Sequence, residues 1–196
     1  MIPEYDRLYT EKPTRWVDDA HDKYIFDIVS PGGDPDSLLD VGCGNGHTIA
    51  YFQRYWKKAK CDGIDLSSVA VKLAQDRAPL ASFTACELGK YEHEPYKLIL
   101  FVGVLEHFPD PLSGLLKAKS LLRDDGEMYV EVPNCIAYPT HDGTEGFFRV
   151  KHGSKQTEWH LHRPAWEEII LKSGLKIKQS ITGENKAREF IWLLTK

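Results

Sequence analysis

A chain of 196 residues is long enough for one well-buried core and too short for two full domains. Its formal net charge of −4 excludes broad attraction for phosphate backbones or anionic lipid, so no nucleic-acid partner is expected. The opening MIPEYDRLYTEKPTRW lacks the features of an export signal, the longest apolar run (98–105) falls far short of the roughly 17 residues of a membrane span, and Cys43, Cys61, Cys86 and Cys135 are too scattered for a disulfide framework or zinc site; a cytoplasmic chain with no membrane partner is the expectation.

Short β-type runs alternate with helical patterns, which implies parallel strands joined by crossover helices. After a helix over 18–29, SLLDVG (37–42) reads as the first strand and HTIAYFQRYWKK (47–58) as the helix that follows it. KCDGID (60–65) and SSVAVKLAQDRA (67–78) repeat the unit, with Ser67 or Ser68 as N-cap. ASFTACE (81–87) and YKLILFV (96–102) are the third and fourth strands. PLSGLLKAKSLL (111–122) carries Leu112, Leu115, Leu116 and Leu122 at helical spacing, with Gly126 beyond it as a stop, and EMYVEVP (127–133) is the fifth strand. A long irregular stretch follows. RPAWEEIILKSG (163–174) is then a capped helix, and LKIKQSIT (175–182) pairs with REFIWLLT (188–195) as a closing hairpin around TGENKA. The expected fold class is α/β: a three-layer, doubly wound, mostly parallel sheet of seven strands that ends in an antiparallel hairpin.

Such sheets bind ligands outside the carboxyl ends of the strands, where strand order reverses. The glycine cluster of LLDVGCGNGHTIAYF sits at that end of the first strand. Gly42, Gly44 and Gly46 let the backbone turn sharply and approach a ligand with no Cβ in the way. With an acidic residue closing the next strand, the pattern predicts a nucleoside-type cofactor. A dinucleotide fingerprint, G-x-G-x-x-G, would need a third glycine where His47 stands. Asp40, just before the cluster, would repel a pyrophosphate but pair with an ammonium group, and S-adenosylmethionine carries such a group and no phosphate.

DVGCGNG resembles the first motif of class I S-adenosylmethionine-dependent methyltransferases, in particular the small-molecule subgroup called type 11 or type 12. The likeness runs from about residue 35 to residue 181. CDGIDLSS resembles the second-strand motif, which implies that Asp65 accepts hydrogen bonds from the ribose hydroxyls and that Leu66 flanks adenine. FTACEL resembles the third-strand motif, with Glu87, or Cys86 one register away, facing the adenine amino group. LFVGVLEHFPDP resembles the fourth-strand segment. The resemblance thus implies S-adenosyl-L-methionine as cofactor, held by Asp40, Gly42, Cys43, Gly44, Gly46, Asp65, Leu66, Glu87, Leu88 and Val102. Some related enzymes carry E-x-x-E-H there to hold a divalent metal. Gly103 replaces the first glutamate, Glu106 and His107 remain, and no metal is expected.

The acceptor side rests on weaker signals. His107, at the end of the fourth strand, is read either as the base that takes the acceptor's proton or as a cap on the strand end. Residues 133–164 exceed the length at which structureless loops usually carry function, and with their aromatic and polar side chains are read either as the acceptor pocket or as a packed surface loop. Tyr138, Trp159, His160 and His162 are its expected contacts to a small-molecule acceptor, joined by His107 and by Tyr9 and Trp16 from an N-terminal segment that either folds over the cofactor or packs on the sheet edge. One domain is therefore expected: an N-terminal lid and helix (1–34), a cofactor-binding core (35–132), an acceptor loop (133–164), and a helix with the closing hairpin (165–196). The rival readings are an RNA or protein methyltransferase, a dinucleotide-dependent oxidoreductase, which Asp40 and His47 disfavour, and a non-catalytic scaffold.

Overall fold

The computed structural model describes residues 2–14, 16–134, 146–149, 157–181 and 189–196. Strand β1 (Ser37–Val41) is central because Leu38, Leu39 and Val41 are apolar on both of its faces and all three are buried. It pairs in parallel with β2 (Lys60–Asp65) on one side and with β4 (Tyr96–Val102) on the other, β2 carrying β3 (Ser82–Ala85) at the edge. Strand β5 (Leu122–Pro133) continues the parallel set beside β4. Two short strands, β6 (Gly146–Arg149) and β7 (Thr157–His160), form a separate antiparallel pair. The chain then closes with β8 (Lys176–Ile181) and β9 (Glu189–Thr195), β9 lying antiparallel between β5 and β8. The seven-stranded order is β3-β2-β1-β4-β5-β9-β8, which reverses between β1 and β4.

Helices cover both faces, as the alternation of the strands requires. Leu38, Leu98 and Leu100 pack with Ile25 and Val29 of α2 (Asp19–Val29) and with Ile49 and Phe52 of α3 (His47–Phe52). On the other face Leu39, Val41 and Phe101 pack with Leu115 and Ala118 of α5 (Pro111–Ser120) and with Trp166 and Ile170 of α6 (Arg163–Lys172). Burying each such leucine, isoleucine or phenylalanine contributes about 1.5–3 kcal/mol, while an exposed pair such as Lys23–Asp27 adds about 0–1, so apolar packing holds the layers. Two further helices complete the fold: α1 (Ile2–Glu11) and α4 (Ser68–Arg77), the latter capped by Ser67, whose hydroxyl accepts from Ala70 N–H at 3.1 Å. Among the described residues no helix is long and apolar enough to cross a membrane.

The expected fold class stands, with local departures. The helix expected over 47–58 stops at Phe52, where the bonds Arg54 N–H to Tyr51 O and Tyr55 N–H to Phe52 O tighten the chain. That turn folds Trp56 back into an aromatic cluster, 5.0 Å from Phe52 and 4.9 Å from Phe26 between ring centroids. The fifth strand starts at Leu122, five residues early, because Leu122 pairs with Tyr96 before the register shifts and Glu127 takes up pairing with Leu98. Helix α5 accordingly ends at Ser120, leaving Leu116 exposed. The 133–164 stretch is not wholly irregular, since it contains β6 and β7.

Gly46, expected at the cofactor, has a packing role instead. Its φ of +72° sits in the left-handed region, and a Cβ there would lie 2.8 Å from Ala74 Cβ and 2.9 Å from Ala74 Cα. Gly46→Ala should therefore cost about 1–3 kcal/mol through overpacking. In urea melts the variant should unfold at lower denaturant than the parent, and a melt equal to the parent's would contradict this packing role.

Candidate active site

The carboxyl end of β1 is a chain of local constraints. Gly42, Gly44 and Gly46 adopt φ of +73°, +52° and +72°. The N–H groups of Gly42 and Cys43 both donate to the carbonyl of Ile64 on β2, at 2.8 and 3.0 Å, so the turn is registered to the neighbouring strand. Gly44 N–H donates to Asp65 Oδ2 at 2.9 Å, and Ser67 N–H to Asp65 Oδ1 at 2.8 Å. An ionised carboxylate has about four lone-pair positions, so capacity remains for further donors. Two glycines lack a Cβ for steric reasons as well: one at Gly42 would fall 2.4 Å from Val104 Cγ2, and one at Gly44 would fall 2.4 Å from the Tyr9 hydroxyl.

A cavity of about 790 Å³ opens over this turn and across the ends of β1, β2, β4 and β5. Of the expected cofactor residues, Asp40, Gly42, Cys43, Gly44, Asp65, Leu66, Glu87, Leu88 and Val102 line it, and Gly46 does not. The N-terminal segment supplies Tyr5, Tyr9 and Trp16 to the wall, with the Tyr9 and Trp16 rings 5.5 Å apart. It is anchored through Asp6, which accepts from the Ser67 hydroxyl at 2.6 Å, and through Asn45, whose amide donates to Pro13 O at 2.8 Å.

His107 also lines the cavity, on the short 3-10 turn Leu105–His107. Its Nδ1 lies 2.8 Å from the carbonyl of Thr157 on β7. A carbonyl only accepts, so Nδ1 carries the proton, and in the neutral ring Nε2 holds the lone pair. Tyr9 and Trp16, also expected to touch an acceptor, line the cavity as well, whereas three residues expected from 157–162 do not. Trp159 donates its indole N–H to Phe108 O at 3.0 Å, His160 is buried with Nε2 2.8 Å from Glu158 Oε1, and His162 is the N-cap of α6; none of the three lines the cavity. Tyr138 lies outside the described residues. Period-2 alternation along β7 turns Trp159 to the face opposite Glu158, which reaches the wall, and His160, on the same face as Glu158, is bonded to it.

Several wall residues were not singled out from sequence. Asp22 on α2 accepts from the Thr48 hydroxyl at 2.8 Å and binds His47 Nδ1 through its other oxygen. Its spacing carried the signal: Asp22, Ile25 and Val29 share one helix face, so a carboxylate stands in an apolar stripe. Glu131, a lone charge within the buried run of β5, accepts from His21 Nε2 at 2.9 Å and from the Tyr129 hydroxyl. Burial sets the electrostatics. Desolvation, reinforced by Asp22 and Asp65, pushes the Asp40 carboxyl well above the usual carboxylate range, and desolvation does the same to Glu106. Asp65 is raised by burial against the opposing pull of the backbone N–H groups of Ser67, Gly44 and Leu66.

Comparison with known proteins gives a consistent picture. A family profile described as a methyltransferase domain matches residues 11–179. Over 108 residues, 55% of this chain, the sequence is 28% identical to trans-aconitate 2-methyltransferase of Rhodopseudomonas palustris (strain BisB5), and the matched segment spans 42% of that relative's length. The solved 1,6-didemethyltoxoflavin-N1-methyltransferase of Burkholderia thailandensis, with 1,6-didemethyltoxoflavin and S-adenosylhomocysteine bound, has a TM-score of 0.78 at 22% identity, covering 99% of this chain and 86% of that one. An S-adenosylmethionine-dependent methyltransferase from Clostridium acetobutylicum ATCC 824 has a TM-score of 0.76 at 11% identity, covering 98% of both chains. At these identities the structural likeness is one of fold.

The raised Asp40 carboxyl makes a prediction about stability. Between the ordinary aspartate value, about 3.9, and its raised folded value, the folded chain holds a proton that the unfolded chain has lost. Stability should thus fall as pH rises through that window. Asp40→Asn should flatten this decline and be the more stable form at neutral pH, with the difference closing toward pH 4; urea melts from pH 4 to 8 test this, and parallel curves for parent and variant would contradict it.

Proposed function

Since the chain belongs to the methyltransferase-domain family, we propose that it transfers a methyl group from S-adenosylmethionine to an oxygen or nitrogen atom of a small organic acceptor. The observation that carries this reading is the half-buried Asp65 carboxylate at the edge of the glycine turn, held by Gly44 and Ser67 and open to the cavity. The fit of the cofactor rests on this chain's own atoms. Asp65 keeps acceptor capacity for a ribose hydroxyl, Leu66 and Leu88 offer apolar walls for adenine, and Gly42 and Gly44 bring bare backbone to the cavity wall. Asp40 sits at the end suited to an ammonium group.

When bound, S-adenosylmethionine supplies an electrophilic methyl on a sulfonium with a neutral leaving group. The acceptor's lone pair forms the new bond to the methyl carbon as the carbon–sulfur bond breaks with its electrons passing to sulfur. The acceptor's proton goes to His107 Nε2, the ring nitrogen left basic by the bond from Nδ1–H to Thr157 O. Alignment provides much of the remaining acceleration, since well-oriented reactants can supply roughly 7–11 kcal/mol. Tyr5, Tyr9 and Trp16 form the wall that keeps water from the reacting atoms. A small acceptor is favoured by the bounded cavity of about 790 Å³.

Calorimetry should show S-adenosylhomocysteine binding in the micromolar range, about −8 kcal/mol, with no heat from NADH; the reverse pattern would sink the proposal. Asp65→Ala should weaken that binding by about one to two decades, the value of charge-assisted hydrogen bonds, and unchanged affinity in a folded variant would remove Asp65 from the site. His107→Ala should lower turnover by about 10²–10⁴ while leaving S-adenosylhomocysteine affinity near the parent's. Loss of affinity together with turnover would make His107 a structural residue of the strand end.

A further inference from the structure

The acceptor half of the cavity has a chemistry of its own. Glu106, on the turn Leu105–His107, is 2% exposed, lines the cavity, and has a buried Oε2 with no hydrogen-bond partner among the described residues. Buried polar atoms are nearly always satisfied, so an orphaned oxygen on a carboxyl whose residue lines the cavity marks a place where a ligand's donor belongs. Further carboxyls line the same cavity, and two of them are braced by a histidine: Glu131 by His21 at 2.9 Å and Glu158 by His160 at 2.8 Å. His107 adds another acceptor, because Nδ1–H is committed to Thr157 O and leaves Nε2 as a lone pair in the neutral ring. Among the described residues that line the cavity, the one lysine or arginine is Lys117, and its Nζ is bonded to Glu92 Oε1 at 2.6 Å. The surface between these polar groups is apolar, from Val104, Phe108 and Val132.

We propose that the acceptor is a planar nitrogen heterocycle bearing N–H or amino groups, that Glu106 binds its donor edge, and that carboxylate acceptors are rejected. The proposal rests on the methyltransferase reading and names the substrate class for that site. A carboxyl group pairs with an amino-azine edge in either protonation state: ionised, it accepts two N–H bonds, and protonated, it accepts one and donates one to a ring nitrogen. A polycarboxylate meets the opposite situation, with carboxyls opposite its own and, among the described residues that line the cavity, no arginine fork to receive it. The apolar flanks suit the two faces of a flat ring. The N–H proton released as the new carbon–nitrogen bond forms and the carbon–sulfur bond breaks passes to His107 Nε2. This selectivity departs from what the name of the trans-aconitate relative would suggest.

The test uses the full chain loaded with S-adenosylhomocysteine, loading being verified first by calorimetry. Failure at that step counts against the methyltransferase reading itself and is thus separable. The loaded protein is then titrated, by ligand-detected NMR, with 2-aminopyridine, 2,4-diaminopyrimidine and 2-aminopteridine on one side and with benzoate and trans-aconitate on the other. The amino heterocycles should bind and the carboxylates should not, and Glu106→Gln should weaken the heterocycles at least tenfold while S-adenosylhomocysteine affinity holds within about twofold. Tighter binding of trans-aconitate, no binding by any of the three heterocycles, or equal binding by folded Glu106→Gln would each overturn the proposal. If Glu106→Gln does not fold, Glu131→Gln and the rank order of the probes on the parent chain decide the matter.

Discussion

Two backbone N–H groups converge on one carbonyl, those of Gly42 and Cys43 on Ile64, and this clamp fixes where the chain turns as it leaves β1. Because the clamp ties the turn to β2, it also fixes Asp65, the next residue along, within reach of Gly44 N–H. Only a left-handed backbone can turn there, and the space above it is already taken by Val104 and Tyr9, so glycine is required twice over. From this corner the rest of the site follows. Asp6 bonds Ser67 and brings α1 across the turn, Gly103 N–H donates to Glu131 O and aligns the ends of β4 and β5, and Thr157 O orients His107.

The same cavity concentrates carboxyl groups that burial would rather keep neutral, and this is a cost to the fold that a cationic or donor-rich ligand offsets. Asp40, Asp65 and Glu106 are all raised by desolvation, and Glu131 is buried with a histidine and a tyrosine as donors. Structural ion pairs account for few of these groups. Clusters of perturbed carboxyls in a concave site are how a protein stores affinity for positive charge, and S-adenosylmethionine, with a sulfonium and an ammonium against one carboxylate, is net positive. Fold stability and ligand affinity therefore pull on the same residues in opposite directions.

Much of the fold was legible because its signals are local. Buried parallel strands read as apolar runs, glycines and an acidic residue punctuate the first βα unit, and a capping serine opens α4. The candidate cofactor residues that line the cavity belong to that legible part, since they lie at strand ends that the sequence itself marks. What escaped was set by tertiary pairing. Trp56 turned back into an aromatic cluster and shortened α3, Leu122 found Tyr96 and lengthened β5, and Gly46 served the approach of α4. The acceptor half escaped for the same reason: aromatic and histidine content in 133–164 said nothing about which face of β7 meets the cavity, and the alternation put Glu158 there in place of Trp159.

In the proposed function one cavity seats the cofactor over the glycine turn and presents its reactive end to Glu106 and His107. A crystal structure of the chain with S-adenosylhomocysteine measures this most directly. The ribose is expected on Asp65, the adenine beside Leu66 and Leu88, and the sulfur directed toward the end of β4. Density for the nucleoside outside the glycine turn, or with its sulfur turned away from Glu106 and His107, would contradict it.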